Sequence, residues 1–204
     1  MDSKQDCLKF LRELIDTTIA TVDKDGNPQS RVIDVMLEDG ETVYFLTARG
    51  KRFYKQLQEN NHIALVGLKD NKTVRIIGEV KQLEDQHKWI DKMFEKNKYM
   101  NNVYPGDARY ILEPFKVECG EMEFFDLTQK PIYRKTFKIN TEESTYFNKK
   151  YVITDNCIEC DVCKATCPQN AIEEGSPYHI MPNHCLDCGT CYENCPVNAI
   201  EDPY

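Results

Sequence analysis

No stretch of this 204-residue chain approaches the ~18 consecutive apolar residues that a membrane-spanning helix needs. The opening Met1-Asp2-Ser3-Lys4-Gln5-Asp6 lacks the basic-then-apolar layout of a secretory signal, so a cytoplasmic protein is expected. Excess positive charge is missing as well: 34 acids face 26 bases, for a net charge of -8. The shortage is concentrated in residues 151–204, where nine acids meet one base, Lys164, while the preceding 150 residues hold 25 of each. Binding nucleic acid takes a basic face to neutralise phosphates, and holding an anionic membrane takes a polybasic patch; neither is present. A hydrophobic content of 41% excludes disorder by composition, and the length suits one or two domains.

Ten cysteines are present, and eight of them lie between Cys157 and Cys195. They fall in an internal repeat: CIECDVCKATCPQNAI begins at Cys157 and CLDCGTCYENCPVNAI at Cys185, 28 positions later. YVI at 151 and YHI at 178 read as matching short strands ahead of the two copies. A unit this small has no core of its own, so the copies must pack together with something else supplying stability.

Each copy is C-x2-C-x2-C-x3-C-P, the spacing by which bacterial ferredoxins hold 4Fe-4S clusters. Three cysteines in a tight loop reach one cube, and the fourth, followed by proline, serves the other. Cys157, Cys160, Cys163 and Cys195 are therefore expected around one cluster, and Cys185, Cys188, Cys191 and Cys167 around the second. The competing metal is structural zinc, which favours two CxxC pairs ~15–20 residues apart and four ligands per site. Four cysteines in cluster spacing, followed by proline, twice over, favour iron-sulfur. Residues 151–204 resemble the two-cluster bacterial ferredoxin domain throughout, which implies one-electron transfer at low potential. His179 and His184, between the loops, read as surface or supporting residues, since thiolates already complete both cubes.

Ahead of the repeat the pattern is mixed. Cys7, Leu8, Leu11, Leu14 and Ile15 share helical spacing. Residues 19–23, 30–37, 42–47, 63–68 and 74–83 are rich in Val, Ile and aromatics and separated by turn signals such as Asp25-Gly26-Asn27-Pro28, which predicts an antiparallel meander. Helices are expected at 50–60 and 85–97, the second with Trp89, Ile90, Met93 and Phe94 on one buried stripe, and residues 115–127 read as a further strand or hairpin. Residues 128–150, with Pro131 and the polar run 140–145, read as a connector of uncertain structure.

Residues 19–127 resemble the pyridoxamine-phosphate-oxidase-like family of FMN-binding split barrels. The resemblance is carried by IATVDKDGNPQSRVIDV, YFLTARGKRFYKQL, VRIIGEVKQL and FKVECGEMEFFDL in that order. It implies a chain that is mostly β with α: an antiparallel split β-barrel with covering helices over 1–127, a connector over 128–150, and a small α+β ferredoxin domain over 151–204. It also implies a homodimer with FMN at the subunit interface. Carried across, Arg31, Thr47, Lys51 and Arg52 would contact the FMN phosphate, with Val32, Ile33 and Asp34 edging the ring through backbone groups. Thr73 stands where the oxidase pattern often has glutamine, and Phe53 replaces an expected base, so vitamin-B6 phosphate oxidation is not the activity implied.

Other residues have plainer readings. Without the resemblance, Arg31, Lys51 and Arg52 read as solvated surface charges. His62 and His87 are isolated and read as structural or exposed, and Cys7 and Cys119, outside both motifs, are given no chemistry. Tyr99, Tyr104 and Arg109 flank the Pro105-Gly106 turn, where they either line a substrate pocket or are exposed turn aromatics. The whole reads as a flavin and iron-sulfur oxidoreductase passing electrons between two 4Fe-4S clusters and FMN, and reducing a small-molecule acceptor. The alternative is an electron-transfer protein serving a larger redox partner through the acidic tail.

Overall fold

The structure is a computed structural model that describes residues 1–142, 146–147 and 149–203. Residues 143–145 and 148 of the expected connector, and Tyr204 at the end of the expected ferredoxin domain, lie outside the described residues.

Helix α1 (Lys4–Leu14) opens the chain; Ser3 Oγ accepts from the Asp6 amide at 3.1 Å, capping it. Its apolar stripe buries Leu8 and Leu11 completely against the main sheet. That burial is worth ~1.5–3 kcal/mol for each leucine.

Strands β1 (Asp16–Val22), β2 (Pro28–Asp34), β3 (Leu37–Glu38) and β4 (Val43–Ala48) follow, then helix α2 (Arg52–Glu59), strands β5 (His62–Lys69) and β6 (Lys72–Gln82), helices α3 (Gln86–Lys96) and α4 (Met100–Val103), and the long strand β7 (Leu112–Asp126). Period-two burial makes them sheet: Ile63 and Leu65 of β5 and Val74, Ile76 and Val80 of β6 point inward, while Val66 and Leu68 stay exposed. Of residues 115–127, expected as a strand or hairpin, 115–126 form part of one continuous strand.

The expected meander is only partly present. The order is β2-β1-β5-β6-β7-β4-β3, all antiparallel, so β1 skips to β5 and β4 crosses to pair β7. Local alternation fixed each strand but carried no information on this exchange of neighbours. The connector also differs from expectation: Tyr133–Ile139 is a strand, β8, which pairs β7 from Gly120 to Asp126.

Strand β7 therefore has β6 on one side from Phe115 to Asp126, and on the other side β4 along its first half and β8 along its second. The hand-over falls where Gly78 and Gly120 pair and the β6–β7 register shifts. A Cβ on Gly120 would lie 2.4 Å from the Ile77 carbonyl oxygen, and its φ of +155° suits glycine, so this backbone crossing admits no side chain. The result is a curled, split half-barrel covered by helices.

The tail is built twice over. Strand β9 (Val152–Ile153), a cysteine loop, helix α5 (Val162–Thr166) and strand β10 (Ile172–Glu173) form one copy; strand β11 (His179–Ile180), a loop, helix α6 (Thr190–Glu193) and strand β12 (Ile200–Glu201) form the other. The strands pair crosswise, β9 with β12 and β10 with β11, so each small sheet joins the two copies. Among the described residues no helix is long and apolar enough to cross a membrane.

Candidate functional site: a barrel cavity and two cysteine cavities

A cavity of about 490 Å³ opens beside α2. All seven residues that the sequence pointed to for flavin binding, Arg31, Val32, Ile33, Asp34, Thr47, Lys51 and Arg52, stand in its wall. Strand β2 supplies the first four, the end of β4 supplies Thr47, and the start of α2 supplies the cations. Arg31 is aimed by its neighbours: its guanidinium donates to Thr21 Oγ1 at 2.7 Å and Gln56 Oε1 at 2.8 Å, and it lies 4.6 Å over the Phe53 ring. Phe53 thus seats the arginine by a cation–π contact. Partial burial pushes the Arg31 pKa down from its ordinary value.

Thr47 Oγ1 is buried and has no hydrogen-bond partner among the described residues. A buried hydroxyl left unpaired costs free energy unless something completes it. Nearby, α2 begins with no acidic residue in its first turn and no side-chain cap on its amides, and Lys51 is the residue preceding its first turn. Helix amides without a side-chain cap, two cations, an arginine and an orphan hydroxyl make an anion cradle that fits a phosphate monoester. The lining also includes apolar Met36, Leu46, Met100 and Leu112, which suit a flat ring.

Tyr99 and Tyr104 line this same cavity, whereas Arg109 does not: it pairs with Asp91 and lies 5.0 Å over Phe94. The Tyr99 hydroxyl donates to Asp34 Oδ2 at 2.6 Å. Burial, then that bond to a carboxylate, push the Tyr99 pKa up, so it remains a donor. Ile90, Met93 and Phe94 are buried, and Trp89 stacks on Tyr44 at 5.1 Å, so the α3 stripe is packing. Thr73, on β6, is not in the cavity wall. His87 stacks on Tyr110 at 3.9 Å, and His62 sits 3.5 Å from Glu79. Burial pushes Cys7 up to about 12, which leaves it an inert thiol.

In the tail, Cys157, Cys160, Cys163 and Cys195 surround one cavity. Cys167, Cys185, Cys188 and Cys191 surround a second. The crossed strand pairing of the two copies brings the fourth cysteine of each to the loop of the other. Among the described residues no three His, Cys, Asp or Glu side chains converge on a point that would hold a single ion. Thiols spread around a cavity suit a cube with iron at its corners. Backbone amides already point at four of the sulfurs: Glu159 to Cys157, Ala171 to Cys167, Asp187 to Cys185 and Ala199 to Cys195, at 3.2–3.4 Å.

The second cysteine cavity is fastened to the barrel. Arg134, on β8, is buried; it donates to Glu123 of β7, to Asp187 and, at 3.0 Å, to the Cys185 carbonyl oxygen. Lys150 donates to the same Asp187 at 2.7 Å. These two cations hold the Asp187 carboxyl below its ordinary range against the opposing effect of burial. His184 Nδ1 lies 2.8 Å from the Ile132 carbonyl, and the Ile132 amide donates to Gln169 at 2.9 Å. A larger cavity, about 620 Å³, lies between β8 and the tail, but its Arg134, Lys135 and Lys150 are each spent on protein oxygens.

Sequence reading missed Gln56 and Thr21, which aim Arg31, and missed Arg134 and Lys150 because both fall in the expected connector. Gln56 was within reach, lying three residues after Phe53 on the buried face of α2.

The sequence model of the family described as Pyridoxamine 5'-phosphate oxidase matches residues 3–121, and that of a 4Fe-4S dicluster domain matches residues 149–196. A ferredoxin from Megasphaera elsdenii is 47% identical over 30 residues, which cover 15% of this chain and 56% of that protein. Among solved structures, a NimC/NimA family protein from Clostridium acetobutylicum superposes with a TM-score of 0.57 at 22% identity, over 66% of this chain and 92% of its own. A protein related to general stress protein 26, also from Clostridium acetobutylicum, gives 0.51 at 20% identity, over 65% and 96%. The two sequence matches bring their cofactors with them: FMN for the barrel and two 4Fe-4S clusters for the tail. With more than half its length matched, the chain belongs to the pyridoxamine 5'-phosphate oxidase family, and it carries a 4Fe-4S dicluster domain behind that family's split barrel.

Proposed function

We propose that the protein is a flavin and iron-sulfur oxidoreductase that passes electrons between its two clusters and FMN and reduces a small-molecule acceptor. The observation that carries this reading is the buried Arg134 junction, which seats a cysteine loop against the barrel sheet in place of a free tether. When bound, the clusters supply single-electron transfer and FMN takes up one or two electrons.

The chain's own residues do the rest. Arg31, Lys51, Arg52 and the Thr47 hydroxyl hold the phosphate, while Val32, Ile33 and Asp34 edge the ring with backbone groups. Tyr99 keeps the Asp34 carboxylate hydrogen-bonded. Cys157, Cys160, Cys163 and Cys195 hold one cluster, and Cys185, Cys188, Cys191 and Cys167 hold the other. Val32 and Val103 line the cavity and are largely exposed, an arrangement that suits cover by a second copy in a homodimer. A cytoplasmic location agrees with the absence of a long apolar helix among the described residues.

The nine acids of residues 151–204 against Lys164 favour a second reading, in which the chain serves a larger basic redox partner without a substrate of its own. Anaerobic reduction of the holoprotein, followed by a screen of small acceptors with no partner added, separates the two. Turnover on the order of 1 per second or faster supports the reductase. Failure with every acceptor, alongside fast oxidation by a basic electron-transfer protein, supports the carrier.

A further inference from the structure

The two cysteine copies are near repeats, so their differences stand out. Cys160 is followed by Asp161 and Val162, and Cys188 by Gly189 and Thr190. Thr190 Oγ1 lies 3.3 Å from Cys188 Sγ, a hydrogen bond that a valine at the equivalent position cannot make. Asp161 places a carboxylate in the first loop, held by the Tyr178 hydroxyl at 2.8 Å, where the second loop has a glycine with no charge.

The acids two residues beyond the first cysteine of each copy also differ in their surroundings. Asp187 is paired with Arg134 and Lys150. Glu159 is exposed, and among the described residues no cation lies within ion-pairing distance of it. Lys164, the cation of that copy, is bound to Glu174.

Hydrogen bonds to sulfur and nearby positive charge both favour the reduced, more negative state of a cluster, and nearby uncompensated carboxylates oppose it. The differences at these three loop positions have the same sign, and the two opposite ones that follow are muted, Lys164 against Tyr192 being paired to Glu174 and Glu193 against Ala165 being exposed to solvent. Resting on the electron-transfer reading above, we propose that the two cluster sites are electronically unequal, and that Thr190, Arg134 and Lys150 hold the site of Cys167, Cys185, Cys188 and Cys191 at the higher potential. The relay therefore has a direction. An external one-electron reductant reduces the cluster at Cys157, Cys160, Cys163 and Cys195; that cluster is reoxidised as its electron passes to the second, which is the one fastened to the barrel. No bond forms or breaks, and one electron leaves the first site for each that enters the second.

Thr190, Arg134 and Lys150 act here as tuning residues, so the readout is potential. The experiment is an anaerobic redox titration of the intact holoprotein with dithionite and mediators, with the reduced clusters followed by electron paramagnetic resonance. Wild type is expected to show two resolved cluster potentials. T190V should lower the higher one, shifting the electron distribution between the sites about tenfold, equivalent to 59 mV for one electron. K150Q should lower the same one. V162T, which gives the first loop the missing hydroxyl, should raise the lower one and narrow the gap. Iron content near eight per chain checks that each variant is loaded.

Indistinguishable potentials in wild type overturn the proposal, as does a T190V effect on the lower potential or on both equally. The electron-transfer reading fails separately: a holoprotein with eight irons, unequal clusters and no extractable flavin refutes that reading and leaves the inequality standing.

Discussion

The guanidinium of Arg134, on the last strand of the barrel sheet, donates to the carbonyl oxygen of Cys185, at the first cysteine of the second loop. One buried side chain thus joins the sheet that shapes the barrel cavity to the loop that shapes the second cysteine cavity. Arg134 also answers Glu123, which is itself buried and held from its other side by Arg75 at 2.7 Å.

Arg134→Ala should be among the most damaging substitutions in the chain. Removing the cation leaves Glu123 buried with only the half-exposed Arg75, and breaking such a pair costs about 3–5 kcal/mol. Replacing Arg134 and Glu123 together by methionine should cost much less, because Asp187 keeps Lys150 and the Arg75 left behind is half-exposed to water. Denaturant unfolding of the loaded protein measures both.

Thr47→Val separates binding from stability. The valine keeps the shape and removes the orphan hydroxyl, so apo-protein stability should hold or rise by about 1 kcal/mol. FMN affinity should fall about tenfold or more, the worth of a hydrogen bond to a charged oxygen. Fluorescence titration of the deflavinated protein measures the affinity, and unchanged affinity removes Thr47 from the phosphate site.

Lys51→Ala and Arg52→Ala should each weaken FMN binding with little effect on folding, and the loss should shrink as salt rises, since both side chains are solvent-facing. Arg31→Ala should weaken it and also destabilise the protein, because the buried Gln56 carbonyl and Thr21 hydroxyl lose their shared donor.

How much of this was legible beforehand depended on whether the signal was local. The cysteine spacing pointed to two crossed fours, because ligation to a small rigid group constrains sequence directly, and the eight thiols line two cavities in those fours. The helical stripes of α1, α2 and α3 and the strand alternation were legible for the same reason. The pairing of β4 with β7 was not, since exchanging neighbours leaves alternation untouched. Strand β8 was hidden inside the segment 128–150, which Pro131 and the polar run 140–145 marked only as a connector of uncertain structure, yet its Arg134 is buried against two carboxylates. A buried ion pair has no sequence signature of its own.

Stripping the iron should unfold the tail and spare the barrel. Beyond its cysteines the tail core consists of Ile153, Ile172, Tyr178 and Ile200, too little to offset the chain entropy of a unit this size. Hydrogen exchange after chelation should show amide protection lost across residues 151–203 and retained in β6 and β7. Protection retained in the tail would mean that the protein fold alone holds it.

Stepwise anaerobic reduction of the holoprotein, with flavin absorbance and cluster resonance recorded together, decides whether tail and barrel exchange electrons. About one FMN and eight irons per chain are expected, with electrons that enter through the clusters bleaching the flavin in the same molecule. Clusters that stay reduced beside a flavin that stays oxidised, or a fully loaded tail on a barrel with no flavin, would contradict that exchange.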